Sequence, residues 1–157
     1  MPISSVLEWL TRTEVATALN RSSYLMGVLS SVHLLGLTLI VGSTFVSCMR
    51  CFGSLLPEQP LSAVTRPAGK VVALGFAISL ATGLLMFTPR ATTVASDTAF
   101  RIKMILLLAA VVFNFVLYRY TARSDSIRPP MLHHMGLLGL ALWLGVAIAG
   151  CVFLVVE

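Results

Sequence analysis

YLMGVLSSVHLLGLTLIVGSTFVSCM, residues 24–49, is a run of 26 residues without a charged side chain. A helix needs about 20 apolar residues to cross the hydrocarbon core of a bilayer, and this run exceeds that length. His33 lies near its middle, and Cys48 and Cys51 lie at its far edge. A charged group in lipid costs about 2.5 kcal/mol or more, so His33 is either neutral and hydrogen-bonded or a ligand. The stretch therefore predicts a membrane helix that carries an imidazole inside it.

The composition extends this reading to the whole chain. Its 157 residues are 57% hydrophobic and 11% charged, whereas about a quarter of the residues of a soluble domain are charged. Four apolar runs, at about 22–49, 67–87, 100–120 and 131–156, each approach the length of a spanning helix. None of them alternates with the period of two expected of a membrane β-strand. The sequence predicts an all-α integral membrane four-helix bundle over residues 22–157.

Residues 1–21 predict a short interfacial helix ahead of the bundle. Val6, Leu7 and Leu10 share one helical face, and Trp9 lies beside them, at the level of the lipid headgroups. The acidic residues of this segment and its lack of a continuous apolar core argue against a cleaved signal peptide.

The net charge of +5 comes from cationic residues at the helix ends, where lipid headgroups meet them. We therefore expect the lipid bilayer as a partner and no nucleic acid. Six of these residues fall on the side of the first and third loops, namely Arg50, Arg66, Lys70, Arg119, Arg123 and Arg128. Five fall on the other side, namely Arg12, Arg21, Arg90, Arg101 and Lys103. On this narrow difference we place both termini outside.

Residue spacing also predicts how the helices pack. One face of the first span is a polar stripe that should point into the bundle: Ser30, His33, Leu37, Ile40, Thr44, Ser47 and Cys51. The second span carries small residues at four-residue intervals, namely Gly69, Ala73, Ala77 and Ala81, which would let a neighbouring helix approach closely. Asp97 is expected to cap the third span. Asn114, inside that span, is expected to hydrogen-bond a neighbouring helix and to contribute about 0.6 to 2 kcal/mol.

Candidate ligands form two groups at different depths. The group on the side of the termini is His33, Met86 and Met104. The group on the side of the first loop is Cys48, Cys51, His133 and His134, with Met131 and Met135 beside them. These soft donors suit Cu(I), and pairs of His/His or His/Met suit haem iron. His33 lies roughly 15 to 20 Å in depth from the other histidines, which disfavours one haem bridged by His33 and His133 or His134 within a subunit.

Each candidate also has an ordinary interpretation. Methionines in membrane helices usually pack, and a single Cys-x-x-Cys is a weak signal. His133 and His134 follow two prolines at an interface, where contact with water or headgroups is expected. His33 remains open between a ligand and a hydrogen-bonded structural histidine.

No self-contained catalytic constellation is visible in the sequence. The spans hold no acidic residue, and neither a Ser/His/Asp set nor a glycine-rich phosphate loop occurs. We do not expect the chain to be an enzyme by itself.

Several short motifs distributed along the chain form a recognisable pattern. They are His33-Leu-Leu-Gly-Leu, Gly42-Ser43, Arg50, Gly53, Thr82-Gly83-Leu84-Leu85-Met86-Phe87, Ala99-Phe100-Arg101-Ile102-Lys103-Met104, Asn114, Trp143-Leu144 and Gly150. The pattern resembles bacterial four-helix membrane proteins of unknown function that are similar to the copper-resistance protein CopD. The resemblance implies a bundle in the bacterial inner membrane, with copper handling or cytochrome b561-like haem binding. Cys48, Arg119 and Cys151 stand where the family pattern has an acidic residue, a histidine and an arginine, which implies a specialised relative that packs against other proteins.

Three functions follow as hypotheses. The chain is a subunit or assembly partner of a membrane complex that carries b-type haem for electron transfer through His33, with Met104 as a further cofactor ligand. Alternatively, it binds or transports copper through the two ligand groups. The third hypothesis is a purely structural bundle without a cofactor, acting as a homo-oligomer or within a larger complex.

Overall fold

Four long helices form the body of the computed structural model, which describes the backbone of residues 3–123 and 129–156 and side-chain surroundings within 4–121 and 131–150. In chain order the helices are α1 Ile3–Thr11, α2 Glu14–Arg21, α3 Ser23–Cys51, α4 Leu61–Phe87, α5 Ala91–Ser96, α6 Thr98–Arg123 and α7 Pro129–Val156. Helices α3, α4, α6 and α7 are each long and apolar enough to cross a membrane. The chain is a multi-pass membrane protein, and the predicted all-α bundle is confirmed. Arg128 and the side chain of Cys151 lie outside the described residues.

The N-terminal segment differs from the single helix predicted over residues 1–21. It is broken after Thr11, and Thr13 begins α2 by accepting a hydrogen bond at its Oγ1 from the Ala16 backbone N–H, at 3.3 Å. Helix α1 packs against α5 and against the 3-10 turn Thr88–Arg90 that precedes it, and α2 packs against the same turn. Trp9 stays 66% exposed, as a side chain at headgroup level would be.

Helix α4 begins at Leu61, six residues before the predicted start of the second span at residue 67. Pro67 lies inside the helix, where its ring removes one backbone hydrogen bond. The polar stretch ahead of Pro67 is nevertheless helical because Leu61, Val64 and Thr65 are buried in the bundle. Packing therefore outweighs the local proline signal.

Capping interactions fix two other helix ends. The Phe100 N–H donates to Oδ1 of Asp97 at 2.9 Å, which confirms the predicted cap of α6. At the end of α3, the Gly53 N–H donates to the Arg50 carbonyl at 3.0 Å and the Ser54 N–H donates to the Met49 carbonyl at 3.1 Å. Gly53 has a φ of +72°, the left-handed conformation that this Schellman arrangement requires. The guanidinium of Arg50 also donates to carbonyls of the following loop, which holds the α3–α4 connection.

The most extensive helix contact joins α3 and α4, which cross at Gly36 and Gly75. A Cβ added at Gly75 would lie 2.6 Å from the Gly36 carbonyl oxygen, so only glycine allows the two backbones to approach this closely. In the polar stripe of α3, Ile40, Thr44 and Ser47 are buried in the bundle, as predicted.

The small-residue stripe of α4 does not form this contact. The face of α4 that carries Gly75 packs against α3. The stripe lies on the opposite face and is therefore exposed on the outside of the bundle at Ala73, Ala77 and Ala81. The small residues therefore present a surface to lipid or to another chain. Helix α6 packs mainly on α7 and touches α4 sparsely, which leaves a seam between α4 and α6.

Candidate functional site

The crossing of α3 and α4 brings His33 beside the last turns of α4. The hydroxyl of Ser79 donates to the His33 carbonyl oxygen at 3.3 Å. Gly83 leaves room for the imidazole, since a Cβ at this position would lie 3.2 Å from His33 Cε1. The half-buried ring is thus held between two helices inside the membrane.

A hydrogen bond to Thr82 determines which nitrogen of His33 is available. His33 Nδ1 and Thr82 Oγ1 are 3.0 Å apart. The Thr82 hydroxyl carries one proton, and it donates this proton to the Ile78 carbonyl oxygen, at 2.7 Å. Thr82 Oγ1 therefore accepts from His33, which assigns the proton to Nδ1 and leaves the lone pair on Nε2. Histidines that bind metals are oriented in this way, by donating through the other ring nitrogen.

His33 lines a cavity of about 300 Å³ at the terminal side of the α4–α6 seam. Met104 and Lys103 of α6 line the same cavity, and Lys103 is close enough for its charge to act on the His33 ring. Phe87 and Phe100 stack with their ring centroids 5.5 Å apart and close the end nearest the termini. The cavity joins an imidazole nitrogen, a thioether and a cation in one apolar space.

The structure brings together part of the terminal ligand group. His33 and Met104 share the cavity, whereas Met86 is half-buried and is not among its lining residues. Met104 is 43% exposed on the lipid side. The donor pair available to a metal in this cavity is therefore His33 and Met104.

Several loop-side residues lie where α3 meets α7, and Met135 packs against the apolar cluster that contains Cys51. Cys48 and Cys51 are buried, free thiols, and Cys51 packs in an apolar cluster with Leu61 and Leu117. The ring of His133 lies 5.7 Å from that of Phe52, at the far end of α3, and His134 is exposed. Within residues 4–121 and 131–150, no three His, Cys, Asp or Glu side chains are grouped to hold a metal ion. The two cysteines contribute to helix packing in this structure.

A family model matches residues 20–154, which include α3, α4, α6, all but the last two residues of α7 and the whole His33 cavity. The chain belongs to DUF6644, a family of unknown function. The match leaves α1 and most of α2 outside the DUF6644 region. No curated protein and no solved structure matches the chain.

Sequence reasoning about this DUF6644 chain missed Thr82, Ser79 and Lys103 as parts of the site. Ser79 and Thr82 are three residues apart and share a helical face, and both Thr82 and Lys103 belong to the motifs quoted above. This spacing could have suggested a polar face opposite His33. It could not identify His33 as its partner, because that depends on where the two helices cross.

The predicted hydrogen bond from Asn114 to a neighbouring helix is wrong for the described part of the chain. Asn114 is 4% exposed, and neither its amide nitrogen nor its amide oxygen has a hydrogen-bond partner there. The packing of α6 buries the side chain without bringing a matching donor or acceptor to it.

Proposed function

We propose that this DUF6644 chain is a small subunit of a bacterial inner-membrane complex that binds b-type haem at His33 for electron transfer, with its termini on the periplasmic side. The observation that carries the proposal is the orientation of His33, whose Nδ1–H is held by Thr82 and whose Nε2 is left for a ligand. Met104 is the second donor in the cavity. Imidazole and thioether donors are both known axial ligands of haem iron.

The charge of the cavity favours haem over a bare copper ion. Lys103 places a cation beside His33, which repels a metal cation but complements the carboxylates of a haem. Haem would supply a one-electron redox centre. The residues of this chain would hold the iron through His33 Nε2, fix the imidazole through Thr82, and exclude water through Phe87 and Phe100.

The size of the cavity places a condition on this proposal. A volume of about 300 Å³ is at the lower end of the range for drug-sized ligands, about 300 to 1,000 Å³. A macrocycle therefore has to extend through the lipid-facing side, where Leu80, Leu84 and Met104 are exposed.

Copper binding is the second candidate, because His33 and Met104 are soft donors that suit Cu(I) and a single ion fits the cavity. Assembly with another chain is supported by the exposed small residues Ala73, Ala77 and Ala81, which would allow a partner helix to approach closely. This surface is compatible with a homo-oligomer or with a larger complex.

The test is the absorption spectrum and metal content of protein purified from cells supplied with both iron and copper. We expect a Soret band and stoichiometric iron. A colourless protein with stoichiometric copper would contradict haem binding and support copper binding. A protein that carries neither metal would contradict both the haem and the copper hypotheses and would support the hypothesis of a structural bundle without a cofactor.

Thr82 supplies a second prediction. Thr82→Val keeps the size of the side chain but leaves the Nδ1–H of His33 without its acceptor, so we expect metal or haem affinity to fall by about 10- to 100-fold. Thr82→Ser keeps the hydroxyl and should retain most of the affinity. Titration of the metal-free proteins measures the change, and the midpoint potential should shift in the valine variant. Equal affinities of the two variants would show that Thr82 does not orient the ligand.

A further inference from the structure

A second cavity lies on the loop side of the α4–α6 seam, separated from the His33 cavity by Phe76, which lines both. Its volume is about 430 Å³, which exceeds that of the His33 cavity. Gly69 and Ala73 of α4 form one wall, and Asn114 of α6 and Trp143 of α7 lie on the others. Small residues on α4 therefore leave a ligand-sized space within the membrane.

This cavity is lined by polar side chains whose hydrogen bonds are unmet. Asn114 is 4% exposed and Trp143 is 1% exposed. The Asn114 amide and the Trp143 Nε1–H have no hydrogen-bond partner in the described residues. Each buried group left in this state costs about 1 to 3 kcal/mol, and surrounding lipid tails cannot satisfy it. Two such side chains around one cavity indicate a molecule that supplies partners for their N–H groups.

The chemistry of the lining defines that molecule. Trp143 can only donate, and the Asn114 amide adds two further N–H donors and one acceptor oxygen. The ligand should therefore carry acceptor oxygens. The walls are aromatic, with Phe76, Phe115, Tyr118 and Trp143 around the space, which favours a flat ring.

We infer that this cavity binds the ring of a membrane quinone, whose carbonyl oxygens accept hydrogen bonds from Asn114 and Trp143. The sparse contact between α4 and α6 gives the ring a lateral entry from the bilayer, and an isoprenoid or alkyl tail can remain in lipid. The site lies on the other side of Phe76 from His33, so quinone binding does not depend on a metal there.

Trp143 provides a direct reporter, because the chain has two tryptophans and Trp9 lies in α1, outside the cavity. In the full-length Trp9→Phe protein in lipid nanodiscs, decylubiquinone should quench Trp143 fluorescence with a saturable curve. Decanoic acid, which offers a carboxyl acceptor without a ring, should not displace the quinone.

Two matched variants in the Trp9→Phe background locate the site. Ala73→Leu fills the cavity and should weaken quinone binding by roughly tenfold or more. Ala77→Leu adds the same side chain one turn further along α4, on an exposed position outside both cavities, and should leave the affinity for the quinone unchanged. Asn114→Leu should also weaken binding while keeping the fold, because it removes unmet polar groups from the interior.

Quenching that rises linearly and equally in all variants would reflect quinone dissolved in the bilayer and would overturn the proposal. Displacement of the quinone by decanoic acid at similar concentrations would assign the site to an acyl carboxyl group instead. Equal weakening by Ala73→Leu and Ala77→Leu would also contradict the proposed location.

Discussion

Replacing His33 by alanine is expected to abolish the Soret band and the bound iron of the purified protein, or its copper if copper is the ligand. Among the described lining residues of the cavity, the imidazole of His33 is the only nitrogen donor with a lone pair free for a metal. Met104 alone offers one thioether. Loss of the ring would remove this nitrogen donor, and no other described lining residue would replace it.

A matched variant separates loss of the ligand from loss of the fold. His33→Asn keeps an N–H donor for Thr82 Oγ1 but has no imidazole Nε2, so it should fold and still lose the metal. The structural cost of His33→Ala should be small, about 0.5 to 1.5 kcal/mol for one hydrogen bond. Thermal unfolding, followed by circular dichroism in detergent, checks this point.

The loop-side histidines supply the negative control. His133→Ala and His134→Ala should retain the spectrum, because these residues lie near the far end of α3, roughly 20 Å or more from His33. If His133→Ala or His134→Ala abolished the spectrum while His33→Ala retained it, the proposed site would be at the wrong face of the membrane. Unchanged metal content and stability in His33→Ala would exclude His33 as a ligand.

The spanning helices could be predicted because membrane thickness imposes a length on any apolar run. Their ends were less predictable. Pro67 suggested the start of a helix, but the helix begins at Leu61 because Leu61 and Thr65 are buried. The N-terminal helix is interrupted before Thr13, which caps α2, and the hydrophobic pattern does not reveal this cap. Lipid dictates that backbone hydrogen bonds are satisfied, while packing decides where each helix stops.

The candidate site was predictable only in part for a related reason. His33 was identifiable by its chemistry, as an ionisable group in a charge-free run. Its partners on α4 depend on helix register, which the Gly36–Gly75 contact sets. The more regular pattern, with Ala73, Ala77 and Ala81, suggested a different packing face. Small-residue spacing predicts where a helix can be approached, but it does not identify which helix approaches or whether the neighbour belongs to the same chain.

Residues from several motifs that carried the family resemblance lie close together in the structure. His33, Gly83 and Met104 line one cavity of the α4–α6 seam, and Asn114 and Trp143 line the other. These residues are dispersed over the sequence, yet they meet along one seam. The seam therefore unites features that sequence reasoning treated as separate packing elements, and both functional proposals rest on it.

Gly75→Ala is expected to destabilise the bundle by about 1 to 3 kcal/mol or more, the cost of overpacking a closely packed contact. The added Cβ would lie 2.6 Å from the Gly36 carbonyl oxygen and 3.0 Å from both Ile40 Cγ1 and Leu39 Cβ. A backbone carbonyl cannot rotate away as a flexible side chain can, so α3 and α4 must separate. Separation would also weaken the contacts of Ser79 and Thr82 with His33, and metal retention should fall together with stability.

Gly42→Ala is the matched control for this prediction, because a Cβ at Gly42 meets nothing within 4 Å. That substitution should leave stability unchanged or raise it by about 0.5 to 1 kcal/mol, since alanine favours helix more than glycine does. Thermal unfolding of the two purified variants gives the comparison. Equal unfolding temperatures would contradict the close crossing, and with it the helix register that places Thr82 opposite His33. If Gly75→Ala lowers stability and Gly42→Ala does not, the result supports the close crossing of α3 and α4 as the contact that assembles the site.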